Sequence, residues 1–177
     1  MRQSSMHWAH HHMRVLGIDP CTRGFGFAVL EGGSRLIDWG VARLYSKNNE
    51  EVLVRADNLI KRYSPSLIAL EDVSGTNRGT RAARQIDALL GYARHLNVAA
   101  AVVTRQEVRQ ALGVRHAATK HEIATMIAKA FPELEATLPR VRRPWETEKE
   151  TLKVFDAVAI AITADPAALI GSAMHRL

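Results

Sequence analysis

Three acidic residues stand where the surrounding pattern asks for apolar side chains. Asp19 follows Val15, Leu16 and Ile18; Glu71 closes the run Leu67, Ile68, Ala69, Leu70; Asp156 is the only polar residue between Val154 and Ile162. An ionised carboxylate in such a setting is costly to desolvate unless a cation or several donors compensate it. Each has an ordinary reading by itself: Asp19 caps the turn at Pro20, Glu71 pairs with an arginine, and Asp156 sits at a solvent-facing point of its helix. One explanation covers all three. If segments 14–19 and 67–71 are neighbouring strands with the last helix packed across them, the three acids meet around a divalent cation. Oxygen donors and a single cysteine, Cys21, favour Mg²⁺ or Mn²⁺ over zinc.

The elements that must position these acids can be read from periodicity. Residues 14–19, 25–30 and 35–45 are β-type runs separated by glycine-bearing turns, which predicts an antiparallel meander. Segment 49–63 has helical spacing through Val52, Leu53, Ala56, Leu59 and Ile60. The almost wholly apolar 67–71 then reads as a strand buried on both faces. A polar loop, 72–80, leads to a helix over 81–96, a strand over 97–103, and helices over 104–112 and 119–131. Thr119 and Glu122 stand at capping-box spacing at the start of the last of these. Residues 132–150 hold three prolines among dense charge and predict a loop or lid, and an apolar helix over 151–164 follows. Three strands followed by alternating helices and strands predict a mixed α/β sheet with helices on both faces.

Length and composition bound the rest. With 177 residues and 47% hydrophobic content, one globular domain over 14–177 is expected. Residues 1–13 are set apart as an N-terminal extension, either a tag or a disordered segment; they have no apolar core of a signal peptide. The excess of 24 Lys and Arg over 18 Asp and Glu, a net charge of +6, suits a polyanionic partner. Arg78, Arg81, Arg84, Arg109, Arg115 and Lys120, with Arg140, Arg142 and Arg143, recur in loops and helix ends near one edge of the sheet. There they can bind phosphates without reading base sequence, although a solvated surface charge is the alternative for any one of them. One cysteine excludes an intramolecular disulfide and suits a reducing, cytoplasmic compartment. No stretch is long and apolar enough to span a membrane.

Four segments, "RVLGIDPCTRGFGFAVLE", "LIALEDV", "TRQEVRQALGVRHAATKHEI" and "VFDAVAIAIT", together resemble the RuvC family of Holliday-junction resolvases. The resemblance covers most of residues 14–164. It implies an RNase H-like fold with a five-stranded mixed sheet, a homodimer built on the helix after the fourth strand, and Mg²⁺-dependent hydrolysis of branched DNA such as a four-way junction. It assigns Asp19, Glu71 and Asp156 to the metal-binding acids, Lys120 to the lysine of the family's Ser/Thr-Lys helix start, and Arg109 to a basic position of the preceding helix. The implied mechanism places two cations about 4 Å apart across the scissile phosphate, with Lys120 on a phosphate oxygen.

The chain departs from the family pattern at identifiable places. Lys153 stands where a further Asp is usual, one helical turn before Asp156 and on its face. There it can pair with Asp156, displace a metal, or point outward. Cys21 replaces a common glycine, and the loop after Glu71 lacks an aromatic wedge. Lys153 motivates an alternative reading, an RNase H-like nucleic-acid-binding domain with weak or no catalysis. An actin-like kinase or ATPase fragment, suggested by the Asp19 to Gly26 hairpin, is disfavoured because that fold needs two such domains.

Overall fold

The computed structural model describes residues 13–21, 23–45, 49–73, 80–141, 143, 145 and 149–165. The expected extension up to residue 12, Arg78 with most of the loop after Glu71, and Arg142 lie outside the described residues. Strands β1 (Arg14–Cys21), β2 (Gly24–Glu31) and β3 (Arg35–Arg43) form the expected meander, and both its pairings are antiparallel. The β2–β3 connection is a three-residue loop, Gly32 to Ser34, between the paired Glu31 and Arg35; Gly32 and Gly33 both take positive φ there, at 57° and 74°, which glycine does without a Cβ penalty. Helix α1 (Asn49–Tyr63) then carries the chain back to β4 (Leu67–Glu71), which lies parallel to β1. A parallel neighbour needs such a crossover. Helix α2 (Thr80–His95) repeats the step to β5 (Ala99–Val103), parallel to β4, so the sheet order is β3-β2-β1-β4-β5. Helices α3 (Arg105–Ala111), α4 (Lys120–Ala130) and α5 (Leu152–Ala164) complete the chain.

Side chains alternate across a strand, and that alternation divides the core. Leu16, Ile18, Ile68 and Leu70 face α1 and α2, where they meet Val52, Ala56, Ile86, Leu89 and Ala93. Val15 and Ala69 face the other way, onto Ile127, Phe155 and Val158 of α4 and α5. Asp19 and Glu71 are the next residues in phase with Val15 and Ala69, so both carboxylates emerge on the α5 face. The apolar stripe of α2 is consumed in the core, with Ile86, Leu89 and Ala93 all buried.

Residues 132–150 do not form only the expected loop or lid. Pro132–Thr137 is a 3-10 helix whose Leu134 is fully buried in the α4–α5 core. A proline in the first turn costs the 3-10 helix no hydrogen bond, and Leu134 supplies the apolar anchor that holds it down. The prolines signalled the end of α4 correctly but not the burial that follows it.

Helix α5 lies closer to the sheet than ordinary side chains permit. A Cβ on Gly17 would come within 2.2 Å of the Ala157 carbonyl oxygen, and one on Gly26 within 2.1 Å of the Lys153 carbonyl oxygen. Both neighbours are backbone, so neither can yield by changing rotamer. Gly17→Ala is therefore expected to lower stability by about 1–3 kcal/mol in urea unfolding. Gly91→Ala, at a helical position whose added Cβ would meet nothing within 4 Å, should lose none.

Candidate active site at the carboxyl ends of β1 and β4

Strand register brings the first two acids together. Ile18 pairs with Leu70 in the parallel β1–β4 ladder, so Asp19 and Glu71 are the next step on adjacent strands, whose axes lie about 4.8 Å apart. Asp156 approaches from above on α5. Asp19 is fully buried, and Glu71 nearly so at 7% exposure. Two of these three acids, Glu71 and Asp156, line a cleft of about 80 Å³ together with Arg105, Arg109 and Lys120, against an aliphatic wall that includes Ile160.

Each acid is matched by a base. Lys153 Nζ lies 2.9 Å from Asp19 Oδ2 and 3.5 Å from Asp156 Oδ2, so it bridges the two. Lys120 Nζ donates to the same Asp156 oxygen at 3.0 Å, and Arg105 Nε donates to Glu71 Oε1 at 3.0 Å. The relay Asp19–Lys153–Asp156–Lys120 and the pair Glu71–Arg105 thus compensate the acidic centre. Among the described residues no three His, Cys, Asp or Glu side chains are grouped so as to hold a metal ion. Acids and bases alternate across the centre, so each of the three carboxylates expected to meet around one ion has a base beside it.

Two capping boxes aim the cleft's bases. Thr104 and Glu107 cap α3, and Thr119 and Glu122 cap α4, each threonine accepting from the glutamate's backbone N–H while the glutamate accepts from the threonine's. The first helical residues after these caps are Arg105 and Lys120. The Thr119 backbone N–H, more than its hydroxyl, holds the Glu122 carboxyl below its ordinary value, and Thr104 does the same for Glu107. A capping carboxylate that stays ionised keeps the helix start, and the base it presents, in place.

The structure distributes the other expected contact residues unevenly. Arg109 lines the cleft. Arg115 is exposed and pairs with Glu122 at 3.3 Å, beside the start of α4. Arg84 is exposed on α2 with Nε 3.3 Å from the Thr80 carbonyl oxygen, and Arg81 is half-buried in the first turn of that helix. Arg105 was not among the residues expected from sequence. No local signal marked it: Arg105 comes beside Glu71 because Glu71 pairs with Val103 in the β4–β5 ladder and Arg105 follows two residues later. Burial pushes the Cys21 thiol up from its ordinary value, the opposite of the lowering that activates a thiol.

The donor chemistry, carboxylate oxygens at the ends of two adjacent strands, fits a hard divalent ion of the Mg²⁺ type. Such an ion is usually held by one or two carboxylates together with substrate phosphates. It does not fit two ions, because the space between Asp19 and Asp156 is spanned by the Lys153 ammonium.

Comparison with known proteins agrees with this architecture. The sequence profile of crossover junction endodeoxyribonuclease RuvC matches residues 15–164. The RuvC of Alkaliphilus metalliredigens is 28% identical over 166 residues, covering 85% of this chain and 91% of the relative. That of Trichlorobacter lovleyi is 30% identical, over 85% and 83% of the two chains. The solved structure of Thermus thermophilus RuvC superposes with a TM-score of 0.65 at 26% identity, covering 90% of this chain and 97% of that one. The same protein in complex with Holliday junction substrate gives 0.64 at 25% identity, over 92% and 96%. With the five-stranded mixed sheet, the helices on both its faces and the profile match over nearly the whole described chain, this protein belongs to the RuvC family.

Proposed function

We propose that this chain hydrolyses phosphodiester bonds of branched DNA, with four-way junctions as its preferred substrate. The observation that carries the reading is the cleft itself, where Glu71 and Asp156 face Arg105, Arg109 and Lys120 in a chain of the RuvC family. Arg105, Lys120 and Arg109 attract the DNA backbone, and the first two exchange a carboxylate partner for a phosphate oxygen. The exchange retains a charge-assisted hydrogen bond on each base and turns Glu71 and Asp156 toward the scissile phosphate. Asp19 and Glu71 would hold a Mg²⁺ or Mn²⁺ ion, with Asp156 as the third acid of the centre. When bound, such an ion supplies an activated water and offsets charge on the phosphate.

Around the cleft, Arg81, Arg84 and Arg115, with Arg78, supply further backbone contacts. A homodimer belongs to the same reading, as does a reducing, cytoplasmic location, supported by the single cysteine. Among the described residues no helix is long and apolar enough to cross a membrane. One domain over 14–177 is likewise part of the proposal. A second reading, a junction-binding domain with little catalysis, is favoured by one observation: Lys153 already compensates Asp19 and Asp156.

Cleavage of a labelled four-way junction in Mg²⁺ separates the two. Asp19→Asn and Glu71→Gln should each lower the rate by at least about 100-fold while junction affinity, measured in Ca²⁺, is retained. A wild-type rate no higher than that of Asp19→Asn would establish the binding-only reading.

Binding should also be electrostatic and directed to backbone geometry. Junction affinity should fall steeply as salt rises, and Arg109→Ala should reduce the slope of log affinity against log salt by about 1. Gel-shift competition checks the substrate, and equal affinity for junction and linear duplex at physiological salt would remove branched DNA as the preferred ligand.

A further inference from the structure

The position of Lys153 is set by backbone contact and leaves its side chain little choice. Gly26, paired with Asp19 in the β1–β2 ladder, lets the Lys153 carbonyl approach to where a Cβ would stand at 2.1 Å. From there the ammonium reaches Asp19 at 2.9 Å, and Asp156, one helical turn on, at 3.5 Å. Its side chain is 14% exposed over a carboxylate that is 0% exposed. Lys120 and Arg105, at 34% and 45%, face the cleft and can swing to an arriving phosphate. Lys153 has no comparable route to solvent.

The charges then limit what else the centre can take. If Lys120 and Arg105 transfer to DNA, the three carboxylates and the Lys153 ammonium together carry two negative charges, which one divalent ion neutralises. A second divalent ion would have to enter beside a buried ammonium, at a short distance and in a low-dielectric setting where like charges repel strongly.

We infer that Lys153 is a tethered cation occupying the place between Asp19 and Asp156, so that this centre binds one divalent ion per chain instead of two and remains folded without any. This rests on the proposed Asp19–Glu71 ion site and specifies how that site is filled. Lys153 is a positioning residue: it holds Asp19 and Asp156 in place and keeps the acidic centre assembled in the absence of metal.

The test is a Mn²⁺ titration of the full chain bound to an uncleavable, phosphorothioate-substituted four-way junction, with the junction alone as blank, following free Mn²⁺ by electron paramagnetic resonance, paired with thermal unfolding of the chain alone in EDTA. Wild type and Lys153→Arg should each bind one Mn²⁺, and Lys153→Asp two. In EDTA, Lys153→Gln should unfold several degrees below wild type, because Asp19 loses its cation, and added Mn²⁺ should restore most of that loss. Wild-type unfolding should shift far less between EDTA and Mn²⁺. Two Mn²⁺ in the wild type, or one in both wild type and Lys153→Asp, would overturn the inference and leave the proposed ion site standing. No Mn²⁺ in any variant would overturn both. Should Lys153→Asp fail to fold, the Lys153→Gln melting curves decide alone: indifference to the substitution and to Mn²⁺ would reject the tethered-cation role.

Discussion

The close seating of α5 on β1 and β2 is the constraint on which the rest of the site depends. Gly17 and Gly26 remove the Cβ atoms that would meet the helix backbone, Gly17 against the small residues Ala157 and Ala161 and Gly26 against Lys153. Only a helix lying this low can bring Lys153 onto the fully buried Asp19. Raised by the thickness of one methyl group, it would leave that carboxylate in an apolar layer with its cation out of reach. Packing and electrostatics are therefore a single requirement here, and the sheet must be glycine-bearing where the acids emerge.

An acidic cluster at the ends of parallel strands is unstable by itself, since like charges in a poorly solvated place raise one another's free energy. This protein offsets that cost by alternating acids with bases drawn from three different helices: Arg105 from α3, Lys120 from α4 and Lys153 from α5. The three bases differ in exposure, and so in what they can do. The two nearer solvent stand at capped helix starts, well placed to trade a carboxylate for a phosphate at little net change in hydrogen bonding. The third lies deep and serves the folded state. Binding a polyanion and tolerating a buried acid are thus assigned to different side chains in one network.

Much of this was legible in the residues themselves. The two-residue period of the β-type runs, the paired glycines at 32 and 33 and the almost wholly apolar 67–71 prescribe a meander followed by a strand buried on both faces, and the sheet has that form. Asp19, Glu71 and Asp156 stood out because a carboxylate in an apolar run has to be compensated. The Thr119–Glu122 capping box was visible in its spacing, because a helix start is a local event. The 3-10 helix at Pro132–Thr137 was not, since its stability comes from Leu134 entering a core assembled by distant elements.

What compensates each acid was a matter for tertiary structure alone. From sequence, Lys153 could pair with Asp156, displace a metal or point outward, because helical spacing places it on a face without saying what that face meets. Arg105 gave no local sign of being Glu71's partner, since the pairing depends on β5 lying parallel to β4 in one register. Residue types and periods determined that acids would be buried at the ends of adjacent strands and had to be neutralised. The identity of the neutralising charge was decided by how closely α5 seats on the sheet, an approach that Gly17 and Gly26 permit because a Cβ at either would meet helix backbone.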